Sequence, residues 1–304
     1  MPNKYTRMAI RTMALTMALI VLLSSTLAQA SQEVEIQGLS FPVDSESIDL
    51  GDLKLSMKEL TVFLDQFPNL TRVDMFGTKV NKEDIELLVS RYPNIKFGWT
   101  IHIFGKKKGH DVRTDQTAFS TLHGDCYSHS SEQLEVLKYC TELRALDLGH
   151  NLVRDLSFLS GLTKLRVLIL ACNDVSDLTP LSNMTEMEYL ELFSNRITDI
   201  TPLLNMPRLV DLNLIYNKLP NIEVLKQMPQ LRRLWVAHCV KGLQGKKLQE
   251  LQSALPNTQI IAVGDPTQNG WRKHPHYDTI YRMFNETKTY EPFEDMPWPE
   301  DDAY

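Results

Sequence analysis

The stretch Leu143-Arg144-Ala145-Leu146-Asp147-Leu148-Gly149-His150-Asn151-Leu152-Val153 decides the fold, because its frame returns every 22 residues. The frame is Leu143, Leu146, Leu148, Asn151 and Val153. It recurs as Leu165, Leu168, Leu170, Asn173 and Val175, and then as Met187, Leu190, Leu192, Asn195 and Ile197. A fourth copy reads Leu209, Leu212, Leu214, Asn217 and Leu219. A fifth opens with Leu231, Leu234 and Val236 and places Cys239 where the others carry asparagine. A unit this short cannot bury its own apolar side chains, so consecutive units must stack. Their strands then lie side by side in one parallel sheet, roughly 4.8 Å apart.

The positions around the frame are architectural. Asn151, Asn173, Asn195 and Asn217 fall at the turn leaving each strand, where their amides can satisfy buried backbone groups. Asp155, Asp177 and Asp199 precede short apolar turns whose free N–H groups a carboxylate can cap. Pro180 and Pro202 stand in the first turn of those segments, where a missing N–H costs nothing.

Outward from the 22-residue copies lies a longer repeat. Ile48, Leu50, Leu60, Phe63, Phe67-Pro68-Asn69 and Leu70 return 25 residues later as Val73, Met75, Ile85, Leu88, Tyr92-Pro93-Asn94 and Ile95. Each unit reads as a strand, a turn and an amphipathic helix such as Lys82–Tyr92. Phe97, Trp99, Ile101 and Ile103 alternate with period two and predict a longer strand. Leu134, Leu137 and Cys140 stand 22 residues before Leu156, Leu159 and Leu162. The same offset puts Gly124, Cys126 and His129 at the Leu146, Leu148 and Asn151 positions of a degenerate copy. After the short repeats, Leu248, Leu251 and Leu255-Pro256-Asn257, with Ile261 and Val263, restore the long type. The pattern stops at Gly264. A short helix is expected around Tyr277–Phe284, and the acidic, proline-bearing stretch from Glu291 should be irregular. The expected divisions are residues 1–30, 31–142, 143–240, 241–264 and 265–304.

Residues 1–30 read as a secretory leader. Lys4, Arg7 and Arg11 form a basic start, Met13 to Leu23 an apolar run, and Ala28-Gln29-Ala30 a small-x-small cleavage site before Ser31. An uncleaved anchor would need about 20 apolar residues, and this run is shorter. The leader holds three of the 32 basic residues and none of the 38 acidic ones, so the mature chain carries a net charge near −9. That balance argues against nucleic acid or an anionic membrane surface as partner.

Recognition must then come from the side chains between the leucines, on the concave face of the sheet. The expected partner-binding residues are Ile169, Tyr189, Glu191, Phe193, Asp211, Asn213, Ile215, Tyr216, Arg233 and Trp235. Aromatic anchors among a few charges have the composition of a protein-recognition patch. The competing reading is that Phe193 and Ile215 pack beneath flanking segments. If exposed, Tyr189, Phe193 and Trp235 should tolerate alanine with little loss of thermal stability.

No catalytic, metal or cofactor site is expected. Cys140 occupies a core position filled later by Leu162, Met184, Met206 and Met228, and Cys239 replaces a ladder asparagine. Cys172 and Cys239 stand three repeats apart, too far to bridge. Only Cys126–Cys140 is geometrically conceivable, and free thiols fit the register better. His123, Asp125, Cys126 and His129 lack a second ligand pair at zinc spacing. His274 and His276 offer less still.

The 22-residue units, with Leu178-Thr179-Pro180-Leu181 and Ile200-Thr201-Pro202-Leu203, resemble the short leucine-rich repeats of the internalin class, which are secreted Gram-positive proteins. The wider chain resembles secreted leucine-rich-repeat proteins of gut clostridia in three places. These are Arg113-Thr114-Asp115 with Ala118-Phe119-Ser120, the segment Leu143–Asp147, and Asp265-Pro266-Thr267 through Gly270-Trp271-Arg272. The resemblance implies an α/β leucine-rich-repeat solenoid, with a curved parallel sheet and short helices or 3-10 turns on its convex side. It also implies a secreted binding protein whose partner is another protein, on a host or neighbouring cell; the chain itself is expected to be a monomer. No stable membrane insertion is expected after leader cleavage. A Leu-Pro-x-Thr-Gly sorting motif is missing from the sequence, so release or non-covalent retention at the cell surface is expected over wall attachment. Two alternatives stand beside this reading. One is an intracellular scaffold like the phosphatase-binding proteins that share the 22-residue repeat, and the other an enzyme centred on Phe104–His129.

Overall fold

The computed structural model describes residues 32–105, 109–121, 129–263 and 276–293. The leader, Gly124 and Cys126 lie outside the described residues. The described residues form two compact units, one within residues 32–78 and 86–97, the other within residues 79–85 and 98–293.

The first unit begins with a hairpin of β1 (Glu33–Ile36) and β2 (Leu39–Pro42). Its two turn residues, Gln37 and Gly38, both take positive φ, 45° and 88°. That pair of left-handed residues matches the twist of the strands it joins. β3 (Ser47–Asp49) pairs in parallel with β4 (Arg72–Val80), Ile48 opposite Val73, so the 25-residue echo is a structural repeat. Between them α1 (Met57–Leu64) starts in a capping box, in which Ser56 Oγ accepts from Glu59 N–H and Glu59 Oε2 accepts from Ser56 N–H. It buries Leu60, Phe63 and Leu64. Thr78 stands where the previous repeat has Leu53. Its hydroxyl donates to the Leu53 carbonyl at 2.8 Å and accepts from Leu55 N–H at 3.1 Å, replacing packing by hydrogen bonds. α2 (Lys82–Arg91) follows β4, and Lys96 N–H donates to the Thr71 carbonyl as β5 (Lys96–Ile103) begins.

In the second unit β5 pairs antiparallel with β6 (His110–Arg113). A seven-stranded parallel sheet then builds in strict chain order. Its strands are β7 (Ala118–Ser120), β8 (Ala145–Asp147), β9 (Val167–Ile169), β10 (Tyr189–Glu191), β11 (Asp211–Asn213), β12 (Arg233–Trp235) and β13 (Gln259–Ile261). From β8 to β12 each residue faces its counterpart 22 positions on. The return segments are α3 (Ser131–Leu134) running into a 3-10 turn, further 3-10 turns at Ser157–Leu159, Thr179–Leu181, Thr201–Asn205 and Leu225–Gln227, and α4 (Lys246–Ala254). This is the α/β repeat solenoid expected, and its frame leucines, with Met184, Met206, Met228 and Cys140, are buried.

In the coils of β8 to β11 one asparagine holds the turn out of the strand. Asn195 Nδ2 donates to the Leu170 carbonyl of the preceding coil at 2.9 Å and to its own Leu192 carbonyl at 3.1 Å. Its Oδ1 accepts from Val175 N–H at 3.0 Å. Asn173 and Asn217 repeat the pattern. The residue before each ladder position takes left-handed backbone although none is glycine: His150, Cys172, Ser194, Tyr216 and His238 lie at φ 54–57°. Asp155, Asp177 and Asp199 cap the convex turns, each accepting an N–H two residues on at 2.8 Å. The hydroxyl and N–H of Ser157, Thr179 and Thr201 hold those carboxyls below their usual range.

One register differs from expectation. Phe119, not Gly124, sits opposite Leu146, an offset of 27 residues. Ala118-Phe119-Ser120 offers an apolar residue to the core where Gly124 cannot, so the strand forms earlier and extra residues separate it from the convex turn. Leu134, Leu137 and Cys140 keep the 22-residue register and are fully buried.

Asn195→Ala removes four hydrogen bonds. The Phe193 carbonyl keeps the Cys172 N–H, but two buried carbonyls and one buried N–H are left unmet, at about 1–3 kcal/mol for each group stranded. Urea unfolding should show a loss of about 3 kcal/mol, against under 1 kcal/mol for the exposed Arg196→Ala.

Candidate functional site

Two rows of side chains line the concave face of the parallel sheet. The first strand residues give Ala118, Ala145, Val167, Tyr189, Asp211, Arg233 and Gln259. The third give Ser120, Asp147, Ile169, Glu191, Asn213, Trp235 and Ile261. Every residue expected to bind a partner lies on these rows or on the turn beside them, but the expected exposure is corrected. Tyr189 and Trp235 are 1% exposed, and Ile169, Glu191, Asp211, Asn213, Ile215 and Arg233 are buried. Phe193 is half-buried, and Tyr216 alone of the ten is exposed, at 44%.

The cover at the β7–β10 end is the chain's own C-terminal segment. α5 (Tyr277–Arg282) continues into a π-helical turn, Met283–Thr287, and a left-handed Lys288 at φ 53°. Ile280, Met283, Phe284, Tyr290 and Phe293 pack against Ala118, Ala145, Val167, Ile169 and Tyr189 as one apolar cluster. Small residues at Ala118 and Ala145 leave room for the segment to approach. Polar contacts fix its register. Ala118 N–H donates to the Lys288 carbonyl at 3.2 Å, and Tyr290 N–H to Thr117 Oγ1 at 2.9 Å. Tyr290 O–H donates to Glu188 Oε2 at 3.2 Å, and Arg166, ion-paired with Glu188, places its guanidinium 5.3 Å from the Tyr290 ring centroid. His276 stacks on Phe293, centroids 4.3 Å apart. Glu188 and Arg166 occupy repeat position two, which the expected binding set does not include. The unbroken apolar row Ala118, Ala145, Val167 is the sequence signal that something must cover them.

Toward β12 the packing among the described residues is between the sheet's own side chains. Ile215, Trp235 and Ala237 form a cluster joined by Phe193 and Ile261, so Ile215 packs inward against its sheet neighbours. An aromatic rim remains above it. Phe193 meets Tyr216 edge-on at 5.7 Å, and Tyr216 stacks on His238 at 4.9 Å with an interplanar angle of 11°.

Two acidic residues of the face, Glu191 and Asp147, serve the turns. Glu191 Oε1 accepts from Phe193 N–H, and Oε2 from Tyr189 O–H and Asn213 Nδ2, each at 3.1 Å. Asp147 accepts from Gly149 N–H at 2.9 Å and Ser120 Oγ at 3.1 Å. Asn213 repeats the motif with Ile215 N–H at 3.0 Å. Burial outweighs these donors and pushes Glu191 up to about 7 and Asp147 up to about 6. Burial likewise pushes the Cys140 thiol up to about 12 and Cys239 to about 11, so neither is a ready nucleophile. Both thiols are free, as is that of Cys172. His129 is buried with Nδ1 3.1 Å from Asn151 Oδ1, which ties it to the asparagine ladder. His123, Asp125, Cys126 and His274 lie outside the described residues. Among the described residues no helix is long and apolar enough to cross a membrane, and no three potential metal ligands gather.

The family described as leucine rich repeats (2 copies) matches residues 141–183 and again 163–205. With the stacked strands and asparagine ladder already described, the chain has the leucine-rich-repeat fold. Solved structures similar to it include two internalins of Listeria monocytogenes. One is 18% identical over 72% of this chain and 54% of its own, with a TM-score of 0.39. The other, internalin C2, is 17% identical over 72% and 80%, with a TM-score of 0.38. A leucine-rich-repeat protein of Leptospira interrogans is 20% identical over 71% and 54%, with a TM-score of 0.38. The chain spans about half the length of the first and third of these. A comparison with curated proteins finds no match.

Burial changes what substitution should do. Tyr189→Ala and Trp235→Ala each empty a filled site and should cost about 3–5 kcal/mol in urea unfolding, not the small loss expected of exposed anchors. A carboxyl whose proton is held more tightly in the folded chain adds stability below its ordinary range, lost as the pH rises through its folded value. For Glu191 the window runs from about 4.5 to about 7. Unfolding free energy should therefore fall by on the order of 3 kcal/mol between about pH 4.5 and 8, since each tenfold difference in proton affinity is worth about 1.4 kcal/mol. Glu191→Gln should flatten that slope.

Proposed function

We propose that the chain is a secreted leucine-rich-repeat scaffold that binds a protein partner on the concave face of its sheet, at a cell surface or on a host cell. One observation carries the reading: this face already holds polypeptide, since residues 276–293 lie across β7–β10. The leucines and asparagines repeat from coil to coil, but the concave rows do not. Val167, Tyr189, Asp211 and Arg233 succeed one another in a single row, with Ile169, Glu191, Asn213 and Trp235 beside them. A stacked coil needs no such variety; a surface that discriminates among partners does. Tyr216 with Phe193 forms the part of this set a partner meets first. The aromatic rim they share with His238 offers large, rigid contact area. Secretion rests on the basic, apolar and small-residue sequence of the leader.

Two measurements test the proposal. Protein recovered from culture medium should begin at Ser31; recovery only from cells, with Met1 intact, overturns secretion. A photo-crosslinking residue at Tyr216 should label a protein on the surface of target cells. The same residue at the exposed convex position Lys164 should leave that protein unlabelled, and equal labelling from both overturns the concave-face assignment.

A further inference from the structure

The β7–β10 end of the face has the construction of a peptide-binding groove. Its occupant supplies Ile280, Met283 and Phe284, at i, i+3 and i+4 on one side of a helical turn, and then Tyr290 and Phe293 from the stretch that follows. Apolar anchors from a helical turn, laid into an apolar groove, are a recurring mode of peptide recognition. The Tyr290 ring lies beside the Arg166 guanidinium while its hydroxyl reaches Glu188, so the groove reads a tyrosine in both its aromatic and its polar parts. Main-chain bonds accompany the anchors, since Lys288 offers its carbonyl to Ala118 N–H on the edge strand of the sheet.

The occupant is poorly suited to its own seat. It needs a π-helical turn, a non-glycine residue in left-handed backbone at Lys288, and a half-buried ammonium turned back on the Phe284 carbonyl. Each of these conformations is disfavoured locally and persists only where surrounding contacts impose it. The frame leucines of β8–β10, meanwhile, are fully buried within the stacked coils and do not belong to the cluster the segment joins.

We propose that this end of the concave face is a peptide groove closed by the chain's own C-terminal segment, and that its partner is a protein segment presenting the same chemistry. That chemistry is a helical turn with apolar side chains at i, i+3 and i+4, followed by a tyrosine on a stretch that offers a backbone carbonyl. The proposal rests on the reading that the concave face binds protein. Binding of such a segment displaces residues 276–293, so the exposed apolar surface of the groove is never left bare.

A fluorescent peptide with the sequence of residues 276–293 tests this on the full chain. It should bind the Phe284→Ala/Tyr290→Ala chain at least 10-fold more tightly than the wild type, whose own segment competes. The same two changes in the peptide should weaken that binding at least 10-fold. Equal affinity for both chains overturns the proposal, as does a doubly substituted chain that no longer unfolds cooperatively, because the segment is then part of the folding core. Hydrogen exchange on the unmodified protein gives an independent readout. Amides of residues 277–290 should exchange at least 100-fold faster than those of Leu168 and Leu190, and equal protection overturns exchangeability. Loss of peptide exchange while Tyr216 still crosslinks a partner removes the groove alone. Peptide exchange with no crosslinked partner removes the wider reading and leaves the groove.

Discussion

A backbone that leaves a three-residue strand and turns sharply must abandon two carbonyls and an amide to a region that neither water nor the sheet ladder reaches. In the central coils one asparagine side chain meets all three, reaching back to the preceding coil and across to its own. Because each amide touches two coils, it fixes their spacing as well as satisfying them. The leucines can then pack without shear, and every concave side chain stands opposite its counterpart 22 residues away. The ladder ends where chemistry changes. Cys239 cannot offer a side-chain amide, and beyond it α4 replaces the short convex turn.

The concave face inherits a second, smaller version of the same arrangement. Asp147, Glu191 and Asn213 each accept the N–H two residues on, so polar side chains of the third strand position steady the turn that the asparagine completes. The carboxyls of Asp147 and Glu191 are therefore committed to the backbone before any partner arrives. What discriminates is the rest: the ring of Tyr189, the indole of Trp235, the Arg166–Glu188 pair and the exposed rim at Tyr216. Among the described residues the two ends of the face differ in kind, one packed by a helical turn and aromatic side chains from far along the chain, the other by Phe193, Ile215, Trp235 and Ile261.

The fold was legible because periodicity is a local property. Leu146, Leu168, Leu190 and Leu212 announce their face by spacing alone, and the caps at Asp155, Asp177 and Asp199 follow from short-range hydrogen bonding. Even the buried role of Cys140 could be read from its register. The state of the face could not. That Tyr189 points to the concave side is fixed by its position between the frame residues Met187 and Leu190, but whether water reaches it depends on Tyr290 meeting Thr117, a contact across 173 residues. No window of sequence carries such a pairing. The strand at Ala118–Ser120 escapes periodicity for a related reason, since extending a perfect period through a copy that has gained residues misplaces every position on the far side of the insertion.

The five left-handed residues have a further consequence. Glycine would adopt φ near 55° without steric cost, yet the chain carries His150, Cys172, Ser194, Tyr216 and His238 there. Their side chains therefore form a column along one rim, one per coil, at the strand spacing of roughly 4.8 Å. A glycine column would make the turns easier to form and leave that rim chemically blank. The backbone strain of this solenoid is thus spread evenly along an edge, and what it produces is a graded strip, half-buried at His150, Cys172 and Ser194 and open at Tyr216 and His238.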